Sequence, residues 1–267
     1  MRVGVYGAGG KVGVTVCRAL MDDGGFDLVA AVDPKLAGID MGQVLGSAAV
    51  GLIAAGGYEE FQRARAEVVV DFSEPRSSGA MLPKLAGFGI SAVVGTTGFT
   101  PLELGRIKAA YGESEAACLI SANFSIGAIM MIKCAELVSP YFDTIEIIEL
   151  HHDEKIDAPS GTALSTASRI DEARKAASAA PLPADPTRSL RLEGARGARS
   201  DSGIAIHSVR MRGMVAHQEV IFGTRGQTLT IRHDSYDRSS FVPGVFLALR
   251  RIAGLRGFID GFEQLIE

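Results

Sequence analysis

Cysteine is scarce: only Cys17, Cys118 and Cys134 occur in 267 residues, and no two of them form a CxxC pair. Such wide spacing excludes a disulfide framework and a cysteine-built zinc site, so the three thiols are expected to be buried small apolar side chains in a reducing compartment. Long apolar runs are also missing. Hydrophobic residues make up 47% of the chain and charged residues 22%, yet no uninterrupted stretch reaches membrane-spanning length, which argues against a membrane protein. The start, Met1 to Gly7, enters a strand-and-turn pattern at once and leaves no room for the apolar stretch of a signal peptide, so the expected location is cytoplasmic. A formal net charge of -4 supplies no general attraction to nucleic acid, despite arginines at 188, 191, 196 and 199, and an anionic small ligand has to be caught locally. Internal repeats, low-complexity tracts and heptads are absent, as is the helix-turn-helix that a nucleotide-sensing regulator would need.

What is present first is a rhythm. Short apolar runs at Val3–Tyr6, Leu28–Val32, Glu67–Phe72 and Ala92–Val94 alternate with helical stretches such as Val12–Met21, the pattern of βαβ units and a parallel sheet. Val68-Val69-Val70 and Ala92-Val93-Val94 read as strands buried on both faces. From Pro34 to Gly57 periodicity is weak, and a loop with some helix is expected. After Asn123 the pattern changes to a helix over Ile126–Val138, a β-rich run over Asp143–Leu150, a polar segment and a helix from Gly161 to Ala177. A Pro/Arg-rich stretch then leads to three strands bunched over Ile204–Arg210, Gln218–Phe222 and Thr228–Arg232, which predicts a mixed or antiparallel sheet and a second, α+β unit. A last apolar helix is expected over Val245–Ala253.

Gly7-Ala8-Gly9-Gly10-Lys11-Val12-Gly13 follows the first strand and opens the first helix, the context in which a glycine pattern points to a dinucleotide. Small residues admit a pyrophosphate to the backbone, and the helix N-terminus favours its charge. Glycine-rich turns also arise merely to pack strand on helix, but Asp33 ends the second strand run, where a carboxylate can bind a ribose hydroxyl. Asp33 favours NADH, whereas Lys11 and Lys35 can pair with the additional phosphate of NADPH; both cofactors are expected to work. Two further loops, Gly95-Thr96-Thr97-Gly98 and Ser121-Ala122-Asn123-Phe124, fall at carboxyl ends of strands and offer groups to the nicotinamide ribose and carboxamide.

The richest segment runs from Glu146 to Ala163 and joins a strand end, His151, His152, Lys155 and a helix start. Pro159 disfavours helix at Ala158, Ser160 is the expected N-cap, and Ala163 stands where a capping box would need Glu or Gln, so the helix end at Gly161 and Thr162 is open to an external carboxylate. A metal site is the rival use of His151, His152, Asp153 and Glu154, but adjacent strand histidines face opposite sides and the other histidines form no ligand spacing with them. No metal is expected.

The order Glu-Ile-x-Glu-x-His-x-x-x-Lys-x-Asp-x-Pro-Ser-Gly-Thr-Ala, filled from Glu146 to Ala163, resembles the signature segment of the dihydrodipicolinate reductases. The resemblance extends to Gly7–Gly13, Asp71-Phe72-Ser73 with Pro75, Gly95–Gly98, Asn123-Phe124-Ser125 and Arg238 through Pro243-Gly244. Gly194-Ala195-Arg196-Gly197 and Val215 to Val220 are similar to actinobacterial-type members. The resemblance implies a Rossmann-like, doubly wound cofactor domain over residues 1–124 and 241–267, completed by the C-terminal helix, and an α+β substrate domain over residues 125–240 whose open mixed sheet builds a homotetramer. It implies NADH- or NADPH-dependent reduction of 4-hydroxy-tetrahydrodipicolinate, through dihydrodipicolinate, to tetrahydrodipicolinate in lysine and diaminopimelate biosynthesis. Carried over by position, the proton-donor/acceptor histidine is His151 and the catalytic lysine Lys155; the small dicarboxylate is held by His152, Gly161, Thr162 and Arg238, and Phe72 joins the cofactor residues. Hydride addition to a conjugated imine needs an acid nearby and cations on the carboxylates, which these residue types supply. Another amino-acid-precursor dehydrogenase, or a noncatalytic NAD-sensing module, accounts for the glycine loop but not for Lys155 through Thr162.

Overall fold

The computed structural model describes residues 1–266; Glu267, the last residue of the expected cofactor domain, lies outside them. The chain divides into two compact units, one of Met1–Ser125 with the chain from Arg238 onward, the other Ile126–Asp237.

Unit 1 is built from β1 (Arg2–Tyr6), α1 (Lys11–Asp22), β2 (Asp27–Val32), α2 (Met41–Leu45), α3 (Glu59–Arg63), β3 (Val68–Asp71), α4 (Pro75–Gly87), β4 (Ser91–Val94), α5 (Pro101–Gly112) and β5 (Ala117–Ile120). Its strands form one parallel sheet in the order β2-β1-β3-β4-β5, extended at the β5 edge by a strand from the end of the chain. The order reverses between β1 and β3, the switch point at which open α/β sheets take ligands. Alternation along the strands sorts the core. Val69, Ala92, Val94 and Cys118 meet Met81, Leu82 and Leu85 of α4 and Ile107 and Tyr111 of α5, while Val3, Val5, Val70 and Val93, also buried, belong to the opposite face. Thr100 opens α5 with a reciprocal capping box to Glu103.

The weakly patterned stretch after Pro34 is ordered through one side chain. Asp40 accepts the N–H groups of Gly42, Val50 and Gly51 at 2.8, 3.0 and 2.8 Å, so hydrogen bonding replaces the periodicity that would have revealed structure there.

Unit 2 contains α6 (Ile126–Val138), β6 (Thr144–His151), α7 (Gly161–Ala176), β7 (Ala198–Arg199), β8 (Ala205–Arg210), β9 (Ala216–Thr224) and β10 (Gln227–Ser235). The sheet runs β10-β9-β6-β8-β7 and is mixed: β6 pairs with β8 in parallel, and the remaining pairings are antiparallel. Helices α6 and α7 pack together, and Met131, Ile132, Ala167 and Ile170 bury Ile145, Ile147, Val220 and Phe222 of one sheet face. The hairpin strands extend beyond their expected apolar cores, because cross-strand pairing continues through polar residues such as Arg232 opposite Glu219.

Two expectations change, and one element was not foreseen. Cys17 and Cys118 are buried, but Cys134 is exposed on α6, since it lies off the stripe that carries Met131, Ile132 and Ala135 inward. The last helix, α8, begins earlier, at Val242, and ends at Ile252, directly after the Arg238–Phe241 turn that the structure groups with unit 1. Finally, β11 (Gly257–Asp260) follows α8 and pairs in parallel with β5; four residues starting with a glycine show no periodicity by which a sequence reading could find them. Among the described residues, no helix is long and apolar enough to cross a membrane.

Candidate active site

In unit 1, every loop expected to hold cofactor leaves the carboxyl end of a strand: Gly7 after β1, Asp33 after β2, Phe72 after β3, Gly95 after β4 and Ser121 after β5. Gly7 has φ +76°, and a Cβ there would come within 2.7 Å of the Phe72 carbonyl oxygen, so glycine is required. Gly13 is required for packing: its Cβ would lie 2.1 Å from the Gly7 carbonyl oxygen, which fixes how closely α1 approaches the loop. Gly10, the N-cap of α1, supplies no side-chain acceptor, and the first-turn N–H groups of Lys11 and Val12 bond no acceptor among the described residues. An uncapped helix end framed by glycine carbonyl turns fits a pyrophosphate.

Asp33 accepts Gly9 N–H through one oxygen and Lys35 N–H through the other, each at 3.0 Å, which holds its carboxylate at the rim of the glycine loop with lone pairs to spare for a ribose hydroxyl. Asp33→Ala is expected to weaken NADH more than NADPH, because a hydroxyl partner is lost while repulsion of the additional phosphate is relieved. Direct titration of both cofactors checks this, and equal losses would remove Asp33 from the adenosine site.

The other two loops divide their work differently from the sequence reading. Thr96 is buried, and its hydroxyl donates to Asp71 Oδ1 at 3.1 Å while accepting Ser73 N–H at 2.9 Å; Thr97 is the exposed member of the pair. Asp71 is itself fully buried and also accepts from Ser78; burial pushes its carboxyl up, and these donors pull it partway back. The carboxylate thus ties the ends of β3 and β4 together. Phe124 is buried, with its ring 5.9 Å from Phe72 and 5.4 Å from Phe262, so its side chain serves the core and only its backbone is left for a ligand. Ser121 donates to the Asn123 carbonyl at 2.9 Å and Asn123 Oδ1 accepts Ser125 N–H at 2.8 Å, which sets the turn around exposed Ala122.

In unit 2, β6 ends at His151 and the chain crosses to α7 through residues 152–160. Ser160 caps α7, its hydroxyl accepting Ala163 N–H at 3.2 Å. The N–H groups of Gly161 and Thr162 bond no acceptor among the described residues, leaving the open helix end expected for a carboxylate. Lys155 is half-buried, and its Nζ donates to both carboxylate oxygens of Asp157, at 2.7 and 2.8 Å. His152 is exposed at the head of the turn, with its carbonyl accepting Lys155 N–H at 3.2 Å.

Behind these residues stands a buried carboxylate to which the sequence reading gave no role. Glu149 Oε2 contacts His151 Nδ1 at 2.6 Å and accepts Arg210 Nη1 at 2.8 Å, while Oε1 accepts Arg210 Nη2 at 2.8 Å and Ser160 N–H at 3.1 Å. Burial alone would raise the Glu149 carboxyl, but hydrogen bonds from Arg210, Ser208 and His151 outweigh it and bring the group down to about 2. For His151 burial dominates, and its imidazole is held below the ordinary value, toward the neutral form. Removing one member of such a pair strands the other's charge, which costs about 3–5 kcal/mol. The alternation Glu149-x-His151 on a strand is the signal that could have exposed the pairing, since i and i+2 share a face. Arg196 and Arg199 of the arginine cluster are consumed by Glu146 and Asp185. Arg238, expected to bind substrate, belongs to unit 1 and is exposed there. Among the described residues no group of His, Cys, Asp and Glu is arranged to hold a metal ion.

A doubly wound sheet with a glycine loop at its switch point, joined to a mixed-sheet unit, defines a nicotinamide-dependent oxidoreductase that uses NADH or NADPH. Two family profiles cover nearly all of the chain: dihydrodipicolinate reductase, N-terminus, matches residues 1–124, and dihydrodipicolinate reductase, C-terminus, residues 127–265. A 4-hydroxy-tetrahydrodipicolinate reductase of Mycolicibacterium smegmatis is 47% identical over 100% of this chain and 99% of its own length, and that of Desulfitobacterium hafniense is 42% identical over the same shares. Among solved structures, a dipicolinate-bound dihydrodipicolinate reductase from a Paenisporosarcina species is 35% identical, covers 99% of this chain and 98% of its own, and superposes with a TM-score of 0.85. An amine dehydrogenase of Mycobacterium smegmatis shares the fold alone, at 14% identity and a TM-score of 0.66. The chain belongs to the dihydrodipicolinate reductase family.

Proposed function

We propose that this chain reduces 4-hydroxy-tetrahydrodipicolinate, by way of dihydrodipicolinate, to tetrahydrodipicolinate in the cytoplasm, within lysine and diaminopimelate biosynthesis. The observation that carries the reading is that one buried carboxylate, Glu149, bonds both the His151 imidazole and the Ser160 start of the open helix end, so a proton-exchanging group and a carboxylate-binding site share one support. Gly161 and Thr162 N–H receive one substrate carboxylate, and His152 and Lys155 supply positive charge and donors for the dianion. Loss of water from the hydroxylated precursor is redox-neutral and needs a proton removed from carbon and returned to the departing hydroxide; neutral His151 is suited to the first half. Reduction then consumes one hydride and one proton. The nicotinamide supplies the hydride when bound, and Lys155 delivers the proton as charge moves onto the conjugated nitrogen. Gly7 to Gly13, Asp33, Thr97 and the backbone of Ala122 to Phe124 hold and orient the cofactor.

The test is loss of NADH and of NADPH absorbance with freshly generated precursor. Turnover that tracks precursor supports the reading; absence of oxidation with both cofactors, in a protein that binds them, overturns it.

Assembly is part of the same proposal. Strand β10 is a nine-residue sheet edge, and Ile148, Leu150 and Ile221 are only half-buried on the face turned away from α6 and α7. Long edge strands and half-covered apolar faces invite pairing with another copy. A homotetramer is expected by light scattering, with Ile221→Lys shifting it toward smaller species. A stable particle of one chain mass at working concentration would refute this.

A further inference from the structure

We propose that Glu149 is a positioning residue for the reaction: its buried carboxylate, clamped by Arg210, fixes His151 as the Nδ1–H tautomer with Nε2 free to exchange a proton, and seats the helix end that binds a substrate carboxylate. The proposal rests on the reading of His151 and of the α7 N-terminus given above.

Hydrogen-bond capacity carries the argument. An ionised carboxylate has about four lone-pair sites and no donor. Glu149 is met by Arg210 Nη2 and Ser160 N–H on Oε1, by Arg210 Nη1 and His151 Nδ1 on Oε2, and by the hydroxyl of Ser208, its neighbour on β8. The two Arg210 groups and the Ser160 N–H can only donate. A proton on Oε2, aimed at an unprotonated Nδ1, would remove the charge that the Arg210 fork faces; the set is satisfied only with Glu149 ionised and Nδ1 donating. The Glu149 side chain is 0% exposed, so water cannot substitute for a missing partner. With Nδ1 occupied, Nε2 alone retains a lone pair, the arrangement a neutral histidine needs to accept a proton.

Arg210 extends the clamp to the catalytic turn. Its Nη2 also donates to the Asp157 carbonyl at 2.6 Å, and the Met211 N–H donates to the His151 carbonyl at 3.0 Å. The 152–160 turn is therefore held at Asp157 by Arg210 and at Ser160 by Glu149, with Lys155 two residues before the first of these anchors. The charged groups facing His151 are Glu149 from its own strand, Arg210 from β8 and Lys155 from the turn; its partner on β9 is Ala216, which has no charge.

The experiment begins with the parent protein, full-length and without ligand. Nitrogen-15 histidine spectra at pH 7.5, with the His151 signals assigned by their loss in His151→Gln, are expected to show Nδ1 protonated and Nε2 bare. A parent protein with His151 in the Nε2–H form, or doubly protonated, overturns the proposal, and this measurement needs neither substrate nor a second folded variant. Glu149→Gln keeps the shape but places an amide donor where only acceptors fit. It is expected to yield mixed or inverted tautomers, a turnover lower by about 10²-fold, the weight of a general acid or base, and unchanged NADH binding. Because the anion that raises the His151 pKa is removed, the acid limb of kcat/KM should move to lower pH. A folded Glu149→Gln protein with the parent's tautomer and turnover, or with an unmoved or upward-shifted limb, overturns the proposal. Failure of the functional reading is separable, since it appears as a parent protein that does not reduce the precursor whatever its tautomer.

Discussion

Lys155→Ala is expected to lower turnover on the order of 10²-fold at saturating substrate, a loss of about 2.7 kcal/mol in transition-state stabilisation. Lys155 Nζ is gripped by both oxygens of Asp157, so the ammonium is held in place before substrate arrives, and its loss removes the proposed proton donor. Substrate affinity should fall as well, because Lys155 also faces a dianion. His152→Ala should instead raise the Michaelis constant with little change in turnover: an exposed side chain that contacts the substrate equally in ground and transition states changes binding alone. Steady-state kinetics on both variants separate the roles, and NADH titration without substrate should be unchanged in both. Turnover within a few-fold of the parent in folded Lys155→Ala would leave Lys155 only a binding role.

Gly13→Ala is expected to abolish measurable NADH binding, a larger effect than one methyl group usually has. Overpacking typically costs about 1–3 kcal/mol because side chains can yield. Here the added Cβ would come within 2.1 Å of the Gly7 carbonyl oxygen and 2.9 Å of its carbon, and backbone can yield only if α1 withdraws from the glycine loop, taking the N–H groups of Lys11 and Val12 with it. Isothermal titration with NADH, together with a thermal melt to confirm folding, checks the result. Gly10→Ala serves as a milder comparison, since its nearest neighbour would be 3.2 Å away. Equal affinity in parent and folded Gly13→Ala would show that the loop does not depend on this approach.

Local chemistry was legible because some residues have few substitutes. The βαβ rhythm, the Gly7–Gly13 loop, Asp33 at the end of β2 and the Ser160 cap of α7 each follow from period, φ restriction or capping preference, interactions that span a few residues and leave a mark at fixed spacing. Where local signals weaken, legibility ended. The Pro34–Gly57 segment is ordered by Asp40 reaching Val50 and Gly51, and β11 exists only because β5 offers an edge to Gly257–Asp260.

The candidate site divides in the same way. The sequence by itself determined the family, the cofactor class and the segment from Glu146 to Ala163 in which the reacting side chains stand, since motif spacing is a property of the chain. Only the tertiary structure decided which of those side chains are free to act. It turned the Thr96 hydroxyl inward to Asp71, buried the Phe124 ring, and brought Arg210 across 61 residues of sequence to Glu149. The physical reason is that an ionised group can be buried only where donors converge on it. Convergence of β6, β8 and the start of α7 on one carboxylate is a matter of register between strands, which no spacing along the chain records.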